Sequence, residues 1–320
     1  MVGECSFAPE KTYEVKGMEV VEKRKKKDIG KTVFLCTILS VPISNFLVFW
    51  LYVNFDSILM AFQYNKGLEV HWGFYNFTRL WADMTSSNST FWMSMKNTMI
   101  FFLSNLLITL PVSLLLCYFF FKKIWGYKAY RFIFYIPSLV SASIYVVLFS
   151  YLIRTSGPLG MIIEAFGGTP KALLASSDTA LNTILVYTIL SSFGGNIILF
   201  GGAMNHIDGS ILEAAKIDGC KMGTEIFKIV IPLIWPTLST LITFAFVGMF
   251  SSSGAIMLFL ESGAEGVKAS TLSYWIYAQV YYSGEYYYPA TIGLILTVIG
   301  LPIALGVKKL LGNTMEAVEM

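Results

Sequence analysis

Charged side chains are scarce in this 320-residue chain: Asp, Glu, Lys and Arg make up 13% of it. Ordinary soluble domains carry roughly 25% charged residues. Hydrophobic residues account for 55% of the chain and aromatic residues for 16%, and the mean hydropathy is +0.64. This composition excludes an ordinary soluble domain and is typical of a protein that resides in a membrane.

Residues that build metal, redox or nucleotide sites are also few. The chain has four cysteines and two histidines; no two cysteines form a C-x-x-C pair, and the histidines lie far apart. They are Cys5, Cys36, Cys117, Cys220, His71 and His206. The sequence contains no G-x-x-x-x-G-K-[ST] phosphate loop, so the chain is not expected to hydrolyse ATP itself. We therefore predict no disulfide, no metal, no cofactor and no catalytic residue.

Long apolar runs make up much of the rest. A membrane-spanning helix needs about 20 mostly apolar residues. Six segments reach about this length without any Asp, Glu, Lys, Arg or His: 33–53, 97–121, 132–153, 181–203, 237–260 and 287–307. In lipid such runs satisfy their backbone groups as helices. We predict an all-α polytopic membrane protein with six transmembrane helices, kinked at Pro111 in the second span and at Pro137 in the third.

The basic residues predict the orientation. If the N-terminus is inside, the inner segments hold 17 Lys and Arg and the outer segments hold 6. Positively charged loops stay in the cytoplasm, so both termini are predicted to be cytoplasmic. The run KRKKK at 23–27 precedes the first span, where membrane lipid is a more plausible partner than nucleic acid. The first span is interpreted as an uncleaved anchor, because no small-residue cleavage site follows it.

This topology divides the chain into segments. Residues 1–32 form a cytoplasmic basic tail, 33–53 the first span and 54–96 an outer loop. Residues 97–311 form the transmembrane core, which includes a cytoplasmic loop at 204–236, and 312–320 form a second cytoplasmic tail. The outer loop is too long for a simple connection.

The loop at 204–236 has the pattern of two short helices. Ser210 and Glu213 fit a capping box, and Gly219 stands where a helix over 211–218 would end in a left-handed conformation. Apolar residues then recur at helical spacing up to Val230, and Pro232 and Pro236 bend the chain into span five. A helix of two turns is marginal alone in water and needs partners.

The residues of this loop resemble a known family. Glu213-Ala214-Ala215, Asp218-Gly219 and Ile231-Pro232-Leu233 resemble the loop by which permease subunits of bacterial ABC importers engage their ATPase. The segment WGFYNF at 72–77 and the Asn97-Thr98 pair are similar to the carbohydrate members, of the maltose and glycerophosphate type. The chain departs from this pattern at Cys220, where a small residue is usual, and before Glu213, where the usual Pro and Lys are missing.

The resemblance implies a function and a set of partners. The chain would be a permease of the bacterial cytoplasmic membrane, with a second homologous permease, a cytoplasmic ABC ATPase dimer and an extracellular solute-binding protein as partners. The residues implied to couple to the ATPase are Glu213, Ala214, Ala215, Asp218, Gly219 and Pro232.

The substrate is predicted to be a neutral sugar or oligosaccharide. A phosphate or carboxylate ligand would need Arg or Lys in its path, and the spans contain neither. By resemblance the path follows spans four to six, where the candidates are Ser192, Asn196, Ser252 and Ser253. Helix packing by small polar residues explains them equally well. Likewise, the tyrosine-rich segment 281–288 is an interfacial aromatic belt or a sugar platform.

Two other functions fit a helical membrane protein. An ion-coupled secondary transporter usually buries ionisable residues in its spans, and none is present here, although Asn and Ser can also bind Na⁺. An intramembrane enzyme would need a catalytic set at membrane depth, and Ser with Asn alone is a weak one.

Overall fold

The structure is a computed structural model and describes residues 12–16, 19–23, 29–67, 69–86, 89–260, 263, 266 and 268–316. Cys5 and positions 24–27 of the basic run lie outside these residues. The chain divides into two compact units, Met1–Ser57 and Ile58–Met320.

The first unit holds a hairpin and most of the first span. Strands β1 (Thr12–Lys16) and β2 (Glu19–Lys23) pair antiparallel. Helix α1 (Ile29–Asn45), a π-helical segment (Phe46–Tyr52) and α2 (Val53–Met60) follow without a break. The helix therefore runs beyond the predicted end at 53. Hydroxyls in its apolar stretch bond to carbonyls three or four residues earlier, as Thr37 does to Val33 O at 2.9 Å, so they remain satisfied in lipid.

The second unit begins with the segment predicted as an outer loop, which is folded. Strands β3 (Gln63–Lys66) and β4 (Glu69–Trp72) form an antiparallel hairpin, and α3 (Tyr75–Thr85) follows it. The buried Asn76 amide donates to Gln63 O at 2.7 Å and fixes the helix to the hairpin.

The second span is longer than predicted and contains a π-bulge. It comprises α4 (Thr90–Ser104), a π-helical segment (Asn105–Thr109) and α5 (Leu110–Phe121). Leu110 N–H donates to Asn105 O, five residues back. Pro111 follows directly and has no N–H to donate, so the irregularity expected near this proline is present as a local widening of the helix.

The third predicted span, 132–153, is two helices, which corrects the prediction. Helix α6 (Tyr127–Leu139) ends at Val140, whose backbone is extended, and α7 (Ala142–Ile153) begins after Ser141. The Ser141 hydroxyl accepts from Ile144 N at 3.4 Å and caps α7. The break lies three residues after Pro137 because a serine cap is available there. Helix α8 (Pro158–Ala165) follows.

The fourth span is the unbroken helix α9 (Ala180–Asn205). It packs against α5 and α6 and joins the largest buried cluster of the unit. Buried members of this cluster include Leu114, Cys117, Phe193, Ile197, Phe200, Met204, Ile226, Val230 and Leu241. The loop at 204–236 thus contributes to the same core as spans two and four.

The loop and the fifth predicted span are built from short pieces. They are α10 (Gly209–Ile217), α11 (Met222–Glu225), a π-helical segment (Ile226–Val230), α12 (Ile231–Leu233), α13 (Trp235–Val247) and α14 (Gly254–Leu260). The single helix predicted over 237–260 is wrong, since the chain leaves helical geometry between α13 and α14. Helices α15 (Leu272–Ser283) and α16 (Tyr287–Glu316) complete the unit.

Five helical stretches are long and apolar enough to cross a membrane: Val33–Met60, Thr90–Phe121, Ala142–Ala165, Ala180–Asn205 and Tyr287–Thr314. A bent pair, Met222–Leu233 and Trp235–Val247, makes a sixth if it counts as one span. The all-α polytopic class is confirmed.

Candidate coupling site

The first helix of the loop, α10, is capped by Asp208. The Asp208 carboxylate accepts a hydrogen bond from Ser210 N at 3.0 Å. This backbone bond and the Ser210 hydroxyl lower the pKa of the Asp208 carboxyl below its usual value. The predicted cap at Ser210 is therefore wrong: the acidic side chain two residues earlier reaches the free N–H groups first, and Ser210 lies inside the helix.

The other end of α10 has the predicted glycine geometry. Gly219 has φ +70°, Gly219 N donates to Lys216 O at 3.2 Å, and Cys220 N donates to Ala215 O at 2.9 Å. This pair of bonds defines a Schellman motif, in which the left-handed residue is usually glycine. Asp218 is the last residue before it and lies exposed.

The two alanines of α10 face different ways. Ala214 is exposed, whereas Ala215 is only 7% exposed and packs against its own chain. Of the two alanines that the resemblance implies in coupling, only Ala214 therefore presents its side chain to a partner. Adjacent helical residues are 100° apart, so one alanine points inward when the other points outward.

The Glu213 side chain is exposed, and no hydrogen bond or ion pair of the described residues involves it. Its predicted capping role is therefore wrong. Ile217 on the same helix is 87% exposed. The outward surface of α10 thus combines a carboxylate, a small side chain and a large aliphatic side chain.

An ion pair between a half-exposed lysine and a buried glutamate joins the second part of the loop to the end of the second span. Lys122 Nζ pairs with Glu225 Oε1, and the side chains are 35% and 11% exposed. The Tyr118 ring lies 5.7 Å from Lys122 Nζ. The sequence analysis did not identify Glu225. Its position directly before Ile226, within the stretch of helical apolar spacing that ends at Val230, was a signal that it lies near the core.

The loop turns into α13 at Ile234. The helices on either side of this residue meet at 79°, with Pro232 near the start of α12 and Pro236 near the start of α13. Ile234 is buried. The predicted bend between the two prolines is present.

Of the candidate path residues, Ser192 and Asn196 lie one turn apart on α9. Ser192 donates to Thr188 O at 2.7 Å, and Asn196 Nδ2 lies 3.4 Å from Ser113 Oγ on α5. Ser252 and Ser253 lie in the break between α13 and α14. Among the described residues, no hydrogen bond joins the α9 pair to this break. A cavity of about 330 Å³ is lined by the neighbouring Ser251, with Phe250, Ile276 and Thr297.

The break is held by a buried polar clamp that the sequence analysis did not detect. Thr271 Oγ1 donates to Ser252 O at 2.6 Å, and Asn97 Nδ2 donates to Ser270 O at 2.7 Å and to Lys268 O at 2.9 Å. Leu272 N donates to Thr98 Oγ1 at 2.9 Å. Helix α4 of span two, the break in span five and the start of α15 are therefore fixed to each other.

The tyrosine-rich segment has two parts. Tyr288 is fully buried, and its hydroxyl donates to Asp83. The Arg79 guanidinium lies 4.0 Å from the centroid of the Tyr288 ring and forms an ion pair with Glu285. Tyr281, Tyr282 and Tyr286 are exposed. Tyr288 is thus a structural link between α3 and α16, and only the exposed tyrosines fit the belt or platform interpretation.

Over the described ranges, no three His, Cys, Asp or Glu side chains are grouped as a metal site.

Comparison with known proteins gives a family match. A model described as "Binding-protein-dependent transport system inner membrane component" matches residues 74–315. The chain is 25% identical over 273 residues to the arabinooligosaccharides transport system permease protein of Bacillus subtilis (strain 168), covering 84% of this chain and 85% of that protein. It is 26% identical over 264 residues to the lactose transport system permease protein of Rhizobium radiobacter, covering 79% and 85%.

Two solved structures share the fold. A chain of a bacterial ABC transporter involved in the import of the acidic polysaccharide alginate superposes with a TM-score of 0.77 at 23% identity, covering 90% of this chain and 98% of that one. A chain of the alginate transporter in complex with an alginate pentasaccharide-bound periplasmic protein gives 0.78 at 22% identity, covering 92% and 99%.

Proposed function

Since this chain belongs to the family of inner membrane components of binding-protein-dependent transport systems, we propose that it is the permease subunit of an ABC importer for a neutral oligosaccharide. Its own spans form part of the translocation path. A separate ATPase dimer drives transport, because the sequence has no phosphate-binding loop of its own. The family gives no support to the ion-coupled alternative.

The observation that carries this proposal is the outward surface of α10. A nine-residue helix capped by Asp208 and closed at Gly219 presents Glu213, Ala214 and Ile217 away from its own chain. A short helix of this kind is marginal without packing partners. Its Ile217 side chain is 87% exposed, and covering this apolar surface with a partner protein would stabilise the helix. We assign this surface to an ATPase cleft, where Glu213 meets a basic residue.

Further partners follow from this role. The second homologous permease completes the path across a pseudo-two-fold axis. The extracellular binding protein docks on the opposite side of the membrane, where β3, β4 and α3 form a folded surface with exposed Trp72 and Phe74. With the loop at 204–236 on the cytoplasmic side, both termini are cytoplasmic, in agreement with the distribution of basic residues.

A neutral sugar is the substrate class best supported. Two relatives are named for the transport of arabinooligosaccharides and lactose, and the six apolar segments identified in the sequence carry no ionised group to pair with a charged ligand. Ser192 and Asn196 on α9 and Ser252 and Ser253 at the break remain the proposed path residues. The exposed tyrosines of segment 281–288 add stacking surfaces near one end of the path.

The test of coupling is Glu213→Lys in the assembled transporter. Because the side chain has no partner within the described chain, the variant should insert and fold as the wild type while ligand-stimulated ATP hydrolysis falls. Glu164→Lys, an exposed residue of α8, is the matched control and should be silent. Full coupled transport by Glu213→Lys would refute the docking role.

The substrate class is tested separately by stimulation of ATP hydrolysis in proteoliposomes that contain the binding protein. Neutral oligosaccharides should stimulate it and compete with one another, whereas sugar phosphates and uronic acid oligomers should not. Preferential stimulation by a charged sugar would overturn neutrality and leave the permease role intact.

A further inference from the structure

A cavity of about 300 Å³ lies where spans two and four end and α6 begins. Its lining includes Cys117, Phe120, Lys123, Tyr127, Arg131 and Asn205. Asn205 is the last residue of α9, and α10 begins at Gly209, so the cavity opens on the same membrane surface as the coupling loop. Its size is at the lower end of the roughly 300–1,000 Å³ typical of ligand sites.

The lining changes in character along the chain. Cys117 and Phe120 belong to the apolar stretch of span two, which ends at Phe121, whereas Lys123, Tyr127 and Arg131 follow that end. Apolar side chains therefore meet basic and hydrogen-bonding side chains within one cavity, at the level where the spans end. Phospholipid head groups lie at this level of a bilayer.

Both cations of the cavity are uncompensated within the described chain. No Asp or Glu lines the cavity, and no ion pair among residues 29–316 that the structure describes involves Lys123 or Arg131. Glu225, one of the carboxylates of the nearby loop, is already paired with Lys122. Two positive charges without a counter-ion at one cavity favour an anionic ligand.

The backbone and a neighbouring tyrosine position these cations. Lys123 has φ +53°, an uncommon conformation for a residue with a side chain, and its N–H donates to Phe120 O at 3.1 Å as span two ends. Arg131 Nε donates to Tyr135 Oη at 2.8 Å. In the part of the chain that is described, no hydrogen bond uses the two terminal nitrogens of Arg131, which suit phosphate oxygens.

We propose that this cavity binds the phosphate of an anionic phospholipid, with Lys123 and Arg131 contacting the phosphate and Tyr127 and Asn205 donating to the head group. The apolar wall at Phe120 receives the first carbons of the lipid chain. Basic cavities between transmembrane helices are suited to such head groups. Only the identification of this leaflet as the cytoplasmic one rests on the proposed function.

The experiment is native mass spectrometry of the full-length chain released from nanodiscs of equal phosphatidylglycerol and phosphatidylcholine. The wild type should retain one phosphatidylglycerol in preference to phosphatidylcholine. Asparagine is used at position 123 because it tolerates positive φ. Lys123→Asn should lower the retention of phosphatidylglycerol about fivefold, and the double variant Lys123→Asn with Arg131→Gln should lower it about 25-fold. These magnitudes are those expected for the attraction of basic residues to an anionic surface. Lys128→Gln, an exposed lysine outside the cavity, should change nothing.

Three outcomes would overturn the proposal. One is equal retention of the two lipids by the wild type, and another is unchanged retention in both Lys123→Asn and the double variant. The third distinguishes the source of the phosphate: inorganic phosphate that binds the lipid-free chain, is lost in Lys123→Asn and displaces phosphatidylglycerol at equal concentration would assign the cavity to a soluble anion. None of these readouts depends on transport or ATP hydrolysis, so failure here is distinct from failure of the permease assignment.

Discussion

Single residues decide the shape of the proposed coupling site, and Gly219 illustrates how. Its positive φ closes α10 through two backbone bonds, while the space around a Cβ there is open. Any cost of a side chain at Gly219 is therefore conformational. Gly209 also has open space around a Cβ but has no positive φ.

This comparison gives a matched prediction. Gly219→Ala should destabilise the end of α10 by about 1 kcal/mol, and Gly219→Val by more. Gly209→Ala should cause no destabilisation, because alanine favours helix over glycine. Hydrogen exchange of the α10 amides in the purified chain measures the effect, and co-purification of the ATPase measures its consequence. Equal exchange in Gly219→Ala and Gly209→Ala would contradict the role given to the backbone conformation.

The Lys122–Glu225 pair carries a second prediction at this scale. Breaking a fully buried ion pair by removing one partner costs about 3–5 kcal/mol. Here the cost to the docking of the loop on span two should be smaller, because the Lys122 side chain is 35% exposed and screened by solvent. We expect Glu225→Gln and Lys122→Gln each to uncouple ATP hydrolysis from uptake in proteoliposomes. The double variant should be no worse than the worse single variant, and strictly additive losses would show that the two side chains act independently.

At the scale of elements, the molecule is organised by breaks in its helices. Spans three and five are interrupted at Val140 and between α13 and α14, and span two contains a π-bulge. Each interruption leaves backbone groups that need partners. At the span-five break, Thr271 Oγ1 provides one such partner by donating to Ser252 O, and Asn97 holds the neighbouring Ser270.

Thr98 tests this clamp. Its Oγ1 accepts the buried Leu272 N–H, so Thr98→Val should cost roughly 1–3 kcal/mol of unfolding free energy by leaving that donor unpaired. Thr297→Val is the control, because among the described residues the exposed Thr297 hydroxyl bonds only to Gly293 of its own helix. Thermal unfolding in detergent compares the two. A Thr98→Val variant as stable as Thr297→Val would show that the clamp contributes little.

For the whole molecule, the expected unit is an assembly. With one proposed coupling helix in this chain and a proposed ATPase dimer for it to engage, we predict one copy of this chain, one homologous permease and two ATPase subunits. Native mass spectrometry of the purified transporter measures this composition. Transport by an assembly that contains only this chain and the ATPase would rule out the second permease.

The sequence by itself determined the class of the protein, the family to which it belongs, most span positions and the conformation of Gly219. These depend on sums of hydropathy over long windows and on local backbone preferences, which neighbouring residues set. Only the tertiary structure decided that spans three and five are broken, that Asp208 rather than Ser210 caps α10, and that Ala215 faces inward. It also revealed the Lys122–Glu225 pair and the polar clamp that Asn97 and Thr98 form with the start of α15. These contacts join residues about 100 to 175 positions apart, so no local pattern in the sequence predicts them.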